Sequence, residues 1–188
     1  MMGVSVEGHP VEEHLVDEAA VDAVLTASRV LVAVATVSLG AAAEDTTIAQ
    51  YRALVVLASR GPQRMVDLAA ALGVTASTAG RMCDRLVRKG LIRRQRARAD
   101  RRAVQVSITP AGRQVVDQAT ARRRELIAGI LRKLPPRQQP AIAKALQAFA
   151  RAAGEIPDSL WPADPAEPPP AARTRPGPVR AAAAKGRA

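Results

Sequence analysis

Two short helical patterns joined by Gly73-Val74-Thr75 constrain this sequence more than any other feature. Residues 64–72 place apolar side chains on one face, and glycine commonly follows the last residue of a helix. Thr75 is a suitable N-cap for a second helix from Ala76 to Lys89, which Gly90 ends. Helical spacing predicts that this second helix buries one face, made of Ala79, Met82, Cys83 and Leu86. The pattern is that of a helix-turn-helix.

A β-hairpin is predicted directly after this pair. Residues 91–95 and 103–108 read as two strands. Between them lies a basic loop, because six of the ten residues 93–102 are arginine and the only acid is Asp100. A hairpin that follows a helix-turn-helix has the element order of a winged helix. Thr109-Pro110 then predicts the start of another helix.

The whole pattern predicts a mainly α fold with a small β-hairpin wing. A winged helix-turn-helix lobe, residues 46–108, is flanked by N- and C-terminal helical segments, residues 15–40 and 109–153. A capping box at residues 47–50 begins the first helix of the lobe. Residues 30–39, VLVAVATVSL, are apolar nearly all round, which favours a helix buried in a core or against a second subunit. Their β-branched content would also suit a strand.

The two ends of the chain differ from this central domain of residues 15–156. Residues 1–14 are predicted to be a flexible acidic leader. Residues 157–188 are rich in Pro, Ala and Arg, which predicts a disordered tail.

Charge indicates a polyanionic partner. The net charge is +11, and residues 60–137 hold nineteen Lys or Arg against five acids. A solvated surface is the alternative explanation. Only 2% of residues are aromatic, which weighs against a reader of RNA or single strands because few rings can stack on bases.

Features of enzymes and of membrane proteins are missing from the sequence. Both histidines, His9 and His14, fall in the leader, and no phosphate-binding loop or zinc spacing is present. We therefore predict no enzyme, no metal and no cofactor. The longest uncharged stretch, Val30–Ala43, is shorter than the ~20 residues that span a bilayer. With no signal peptide visible, a cytoplasmic protein is expected.

The second helix of the pair carries the chemistry expected at a major groove. Ser77, Thr78, Arg81 and Arg85 fall outside the apolar face. Hydroxyls near a helix N-terminus can hold phosphates, and Arg81 can reach guanine O6 and N7. A surface helix with solvated arginines is the alternative.

The loop of the hairpin suits a minor groove, whose negative potential attracts arginine. Arg102 is expected to enter the groove, and Arg98 and Arg101 to meet phosphates. Asp100 can orient the guanidinium of Arg102, or it can simply occupy a turn.

Residues 68–94, LAAALGVTASTAGRMCDRLVRKGLIRR, and 99–112, ADRRAVQVSITPAG, resemble the MarR family of winged-helix regulators. The resemblance implies a homodimer whose dimerisation helices are residues 15–40 and 109–153. It also implies a palindromic double-stranded DNA operator, with recognition helices in major grooves and wings in minor grooves. By position, Ser77, Thr78 and Arg81 match the recognition-helix contacts of the family, and Asp100 and Arg102 match its wing pair. Gly80 departs from the polar residue often found at its position.

The resemblance also implies a small aromatic or phenolic effector, for which Tyr51 and Arg52 are candidate ligands. We therefore predict a sequence-specific transcriptional repressor of its own or neighbouring genes that a small ligand releases. Three alternatives remain open: an architectural DNA binder of low sequence preference, a winged helix that binds a protein, and a redox sensor that uses the thiol of Cys83. For Cys83, a buried core residue is the favoured interpretation.

Overall fold

The computed structural model describes residues 16–42, 45–96 and 104–162 of the 188-residue chain. Six helices lie in these ranges: α1 (Glu18–Ala42), α2 (Ile48–Arg60), α3 (Met65–Leu72), α4 (Ala76–Arg88), α5 (Pro110–Leu131) and α6 (Gln139–Ala152). Three strands accompany them: β1 (Gln63–Arg64), β2 (Ile92–Arg96) and β3 (Val104–Ile108). Short 3₁₀ turns cover Pro136–Gln138 and Asp158–Leu160. The predicted mainly α fold with a small wing is confirmed.

The sheet has one strand more than the predicted hairpin. Its antiparallel order is β1-β3-β2, so the hairpin strand β3 lies in the centre. Gln63 pairs with Val106 and Arg64 with Gln105. A strand of two residues is too short to show an alternating pattern in sequence, so only the fold that brings it to β3 reveals it.

The chain divides into two compact units between Ala33 and Val34. In the first unit, α1 is a helix, which confirms that prediction over the strand, but its large apolar side chains are exposed. Examples are Leu25 at 53% and Val32 at 61%. Further along the same helix, Val34 and Leu39 are buried at 8% and 3%, so the predicted burial on several sides holds for only part of residues 30–39.

The same helix passes a simple test for a membrane span. From Glu18 to Gly40 it is long and apolar enough to cross a bilayer, judged by length and composition alone. The longest uncharged stretch, Val30–Ala43, is too short to indicate this, because the apolar helix also includes a few charged residues. The core helix of a soluble protein passes the same test, so it is weak evidence for a span.

The second unit contains the hydrophobic core, and α2 runs through it. Every residue of α2 from Ala53 to Ser59 is buried. Leucines of the helix-turn-helix and apolar residues of the sheet and α5 pack around α2, namely Leu68, Leu86, Ile92, Val106, Ile108 and Val116. Burial of these side chains at about 25 cal/mol per Å² is the main force that holds the helix pair and the sheet together.

Three threonines begin helices as predicted, two within the lobe and one directly after it. The predicted capping box is present, since Gln50 N donates to Thr47 Oγ1 and Thr47 N donates to Gln50 Oε1. Thr75 caps α4 by accepting from Thr78 N at 3.2 Å. Thr109 caps α5 by accepting from Gly112 N at 3.1 Å. Each cap satisfies an amide that has no partner within its helix.

The structure extends further toward the C-terminus than the predicted domain boundary. Composition predicts a disordered tail over residues 157–188, but at its start Asp158–Leu160 form a 3₁₀ turn and Trp161 packs against the core. The Pro- and Ala-rich composition of the residues that follow gave no sign that Trp161 would pack against the core. The predicted leader and residues 163–188 of the predicted tail lie outside the described residues.

Candidate nucleic-acid interface

The helix pair exposes one face of α4 because the other face is fixed in the core. Gly73 ends α3 with a φ of 66°, a left-handed conformation that favours glycine. Thr75 then begins α4. The predicted inward face is confirmed, since Ala79, Met82, Cys83 and Leu86 are all buried. The opposite face of α4 is therefore available to a partner.

The predicted recognition residues lie together on that open face. Ser77, Arg81 and Arg85 are exposed, and Thr78 is half-buried. The guanidinium of Arg81 donates to Ser77 Oγ at 3.3 Å and to Thr78 Oγ1 at 3.5 Å. These long, exposed hydrogen bonds are weak. The Arg81 side chain can exchange them for a partner's acceptors with little loss.

Arg85 extends the same basic surface by one turn. Its Nε donates to the carbonyl oxygen of Arg81 at 3.4 Å. Arg88 is exposed at the end of the helix. A row of hydroxyls followed by arginines therefore runs along α4 from its N-terminus.

The stem of the wing adds further arginines beside this helix. Strands β2 and β3 pair from Ile92 with Ile108 to Arg96 with Val104. Arg93, Arg94 and Arg96 are exposed on β2. The four wing residues singled out by sequence, Arg98, Asp100, Arg101 and Arg102, lie outside the described residues.

Two of the stem arginines have partners that sequence reasoning missed. Arg94 Nη2 donates to Asp84 Oδ1 of α4 at 2.5 Å, which joins the recognition helix to the wing. Arg93 Nε donates to Ser107 Oγ across the hairpin at 3.2 Å. A pairing between residues in different elements has no local sequence signal. The Arg94–Asp84 pair depends on the packing of α4 against β2, and the Arg93–Ser107 pair depends on the register of the hairpin.

A second link fixes α5 to the segment between α4 and β2. Thr109 Oγ1 donates to Gly90 O at 2.6 Å, and Thr109 N donates to Leu91 O at 3.0 Å. Gly112 approaches the same backbone so closely that a Cβ on it would lie 2.1 Å from Leu91 O. The wing therefore begins and ends at rigid points of the lobe.

The two candidate effector ligands, Tyr51 and Arg52, lie in different environments. Tyr51 is buried, and the guanidinium carbon of Arg123 lies 5.2 Å from the centre of its ring. Arg52 forms a bidentate pair with Glu155, with N–O distances of 2.9 and 2.7 Å. Hydrogen bonding to Glu155 raises the pKa of Arg52, and the same contact lowers the pKa of Glu155. Arg52 thus already has a carboxylate partner within the chain.

Arg123 was not anticipated from the sequence, although it borders a cavity. Its Nε is buried and has no hydrogen-bond partner among the described residues. The adjoining open cavity, of about 350 Å³, is lined by Asp158 and by six residues of α5: Thr120, Arg123, Arg124, Ile127, Ala128 and Leu131. A mainly apolar lining that includes two arginines suits an anionic organic molecule.

The environment of Cys83 is that of an unreactive thiol. The side chain is fully buried, and loss of solvation raises the pKa of its thiol. A charged neighbour, Arg94, opposes this effect more weakly. Reactive cysteines need exposure and a lowered pKa, so this geometry favours the core interpretation. Within the described ranges, the acids, histidines and cysteine form no metal-binding cluster.

This arrangement defines the protein as a winged helix-turn-helix, with an exposed recognition helix braced against a basic wing. A family model described as the MarR family matches residues 46–104. The structure of RV1404 from Mycobacterium tuberculosis is 41% identical, with a TM-score of 0.70, over 76% of this chain and 99% of that chain. The chain belongs to the MarR family of transcriptional regulators, which are not enzymes. The prediction of a non-enzymatic regulator is confirmed.

Two further relatives are more distant. The helix-turn-helix transcriptional regulator YpoP of Bacillus subtilis is 33% identical over 76 residues, which are 40% of this chain. The alignment spans about half, 54%, of the length of YpoP. BpsR of Bordetella bronchiseptica, whose DNA binding is regulated by 6-hydroxynicotinic acid, is 25% identical. Its TM-score is 0.54, over 71% of this chain and 99% of that chain.

Proposed function

We propose that this chain binds a palindromic double-stranded DNA operator as a homodimer and represses its own or neighbouring genes until a small ligand releases it. The observation that carries the proposal is the exposed face of α4. There Arg81 donates to the hydroxyls of Ser77 and Thr78. Arg94 of β2 pairs with Asp84 of the same helix. Family membership supports the same function.

Each residue on this face has a separate proposed role. The hydroxyls of Ser77 and Thr78, close to the N-terminal amides of α4, hold phosphates. Arg81 leaves these hydroxyls to donate to guanine O6 and N7. Arg85 lies one helical turn after Arg81 and provides a further contact to the DNA. Together they set both the position of the protein and its base preference.

In the wing we propose that Arg102 enters the minor groove, with Asp100 orienting its guanidinium. Arg98 and Arg101 meet the phosphates on either side of the groove. The stem supports these roles, because β2 and β3 are fixed at their base by the core and by the pair between Arg94 and Asp84. A rigid stem aims the loop at the groove next to the one that α4 reads.

We propose that residues 15–40 and 109–153 form the dimer interface and that residues 46–108 form the DNA-binding lobe. Within α6, the apolar residues Leu146 and Phe149 are 48% and 55% exposed. Within α1, Leu25 and Val32 are exposed to a similar degree. Apolar helix faces of this kind are expected at subunit interfaces. We assign α1 to that interface and not to a membrane, and we place the protein in the cytoplasm.

A small aromatic or phenolic acid is the proposed effector, as BpsR responds to 6-hydroxynicotinic acid. The cavity beside Arg123 has room for such a molecule. Tyr51 contacts Arg123 through its ring, so a ligand that moves Arg123 changes the contact with Tyr51. For Arg52 to bind the effector directly, the effector's carboxylate must replace Glu155.

DNase footprinting of the regions upstream of its own and neighbouring genes tests the proposal. We expect a protected palindrome whose half-sites are about one helical turn apart. Arg81→Ala should weaken operator binding by about 1–3 kcal/mol and relax base preference at one position. The matched control Arg137→Ala, which removes an exposed arginine after α5, should bind normally.

Two results would contradict specific repression. Equal affinity for operator and random duplex at one salt concentration would show an architectural binder. Retained function after Arg98, Arg101 and Arg102 are all replaced by alanine would favour a winged helix that binds a protein. A true operator complex should also weaken steeply with salt, because its arginines displace counterions from phosphates.

A further inference from the structure

The chain turns back toward the winged-helix lobe after α6. Gly154 has a φ of 71°, a left-handed conformation that favours glycine, and Glu155 N donates to Ala150 O at 3.0 Å. This glycine cap reverses the direction of the backbone. The residues that follow, 155–162, are named the clasp here. No side chain of α6 is buried among the described residues, whereas the clasp after it packs on α2 and α5.

The first anchor of the clasp is ionic. Glu155 accepts two hydrogen bonds from Arg52 of α2, a residue 103 positions earlier. Both side chains are about 40% exposed, at 43% and 38%. A bidentate arginine–carboxylate pair fixes orientation as well as distance. The clasp is thus held at one end to the helix that runs through the core.

The second anchor is apolar. Trp161 packs against the core cluster, and its indole nitrogen donates to Ile156 O within the clasp at 3.0 Å. Pro162 is buried beside it. An indole with a satisfied N–H can bury its ring without the loss that an unpaired donor would bring. The ring therefore holds the middle of the clasp against the lobe.

The third anchor connects the clasp to the base of the wing. Arg113, in the first turn of α5, donates from one nitrogen to Ala58 O of α2 at 3.3 Å and to Pro162 O at 3.0 Å. One turn earlier, Thr109 holds Gly90 O, the carbonyl that links α4 to β2. The clasp thus ends where α2, α5 and the wing meet.

We infer that the clasp is a positioning element for DNA binding, with Glu155 and Trp161 as its positioning residues. The clasp contacts α2 and the core as well as α5, so it gives the lobe a second connection to the C-terminal helix α6, in addition to the covalent one through α5. When the clasp is released, the lobe can move relative to α6. The conformation in which both recognition helices of the dimer match the spacing of the half-sites is then less populated, and operator affinity falls. This inference rests on the proposed operator binding.

Trp161 provides a direct probe of the clasp, because it is the only tryptophan in the sequence. Glu155→Gln removes the charge of the ionic anchor. We expect acrylamide to quench Trp161 about twofold more effectively and operator affinity to fall about threefold to fivefold, the range of a partly exposed ion pair. The reversal Arg52→Glu with Glu155→Arg should restore both values. Asp45→Asn removes an exposed carboxylate that lies outside the clasp, the proposed dimer interface and the DNA-binding lobe, and it should change neither.

The outcomes separate the clasp from the proposed function. If Glu155→Gln exposes Trp161 but leaves operator affinity unchanged, the positioning role is wrong. If acrylamide quenches Trp161 in the unmodified protein as efficiently as it quenches a fully exposed indole, the clasp is not docked and the inference is wrong. If the unmodified protein binds no duplex, the proposed function fails and the positioning role fails with it. Circular dichroism of each variant ensures that a loss of helix is not mistaken for a release of the clasp, and the reversal provides a second variant.

Discussion

Asp84 of the recognition helix accepts a hydrogen bond of 2.5 Å from Arg94 of the wing strand β2. These side chains connect the two elements that are proposed to enter adjacent grooves. Both are about half exposed, at 47% and 46%, so the pair adds at most about 1 kcal/mol to folding. Its main consequence is geometric, because it fixes the angle between α4 and the wing.

The Asp84–Arg94 pair should affect specificity more than stability. We expect Asp84→Asn to lower operator affinity while affinity for random duplex stays equal or rises, because a negative charge near the phosphates is removed. The ratio of the two affinities, measured at fixed salt, should fall about threefold to tenfold. Asp117→Asn removes the same charge from α5 and is the control. An unchanged ratio would show that the pair does not set wing geometry.

Two glycines should respond in opposite ways to alanine. A Cβ at Gly80 of α4 meets no described atom within 4 Å, so Gly80→Ala should stabilise the protein by about 0.5–1 kcal/mol through helix propensity. A Cβ at Gly112 would lie 2.1 Å from Leu91 O and 2.8 Å from Ile108 Cγ1. Gly112→Ala should therefore destabilise by about 2 kcal/mol or more. Urea unfolding measures both, and equal effects would contradict the packing described.

Cys83 should react with alkylating agents only when the protein unfolds. Its thiol is buried and its pKa is raised, mainly by loss of solvation. We expect iodoacetamide labelling to follow the urea unfolding curve. We also expect oxidants to leave the DNA affinity of the folded protein unchanged, both in the unmodified protein and in Cys83→Ser. Rapid labelling in buffer, or an oxidant response that Cys83→Ser abolishes, would support the redox-sensor alternative.

Docking of Trp161 should weaken in acid. Hydrogen bonding from Arg52 lowers the pKa of Glu155, and nearby Arg60 adds to this effect. A lowered carboxyl pKa stabilises the docked state fully above the ordinary glutamate range, and that stabilisation is lost as pH falls through the lowered pKa. The fluorescence emission of Trp161 should therefore change as the pH falls below the ordinary range of glutamate pKa values, because the indole becomes more exposed. Glu155→Gln lacks this carboxyl and should remove that part of the transition.

The apolar face of α6 should control assembly. Leu146 and Phe149 are about half exposed, so a charge there disturbs the described chain little. Phe149→Asp should convert the proposed dimer to a monomer and weaken operator binding by more than tenfold, because two half-sites no longer bind together. Light scattering after gel filtration measures the mass. Lys144→Asp, an exposed change on the same helix, is the control, and an unaltered dimer would exclude this face as the interface.

Local patterns were sufficient to predict the recognition helix. The cap at Thr75 and the inward row Ala79, Met82, Cys83 and Leu86 lie within a single helix, where neighbours in sequence are neighbours in space. The open face containing Ser77, Thr78 and Arg81 followed from that row. The wing was predicted for a related reason, since a hairpin pairs residues that are close in sequence.

The sequence by itself therefore determined the helices, their caps, the hairpin and the surface that α4 presents. Only the tertiary structure decided which distant charges meet. It paired Asp84 with Arg94 and Arg52 with Glu155, added β1 to the sheet, and placed Trp161 on the core. These contacts depend on the packing of separate elements around α2. No spacing along the chain encodes them, because the burial of apolar faces brings the elements together first and the polar pairs form where that packing places them.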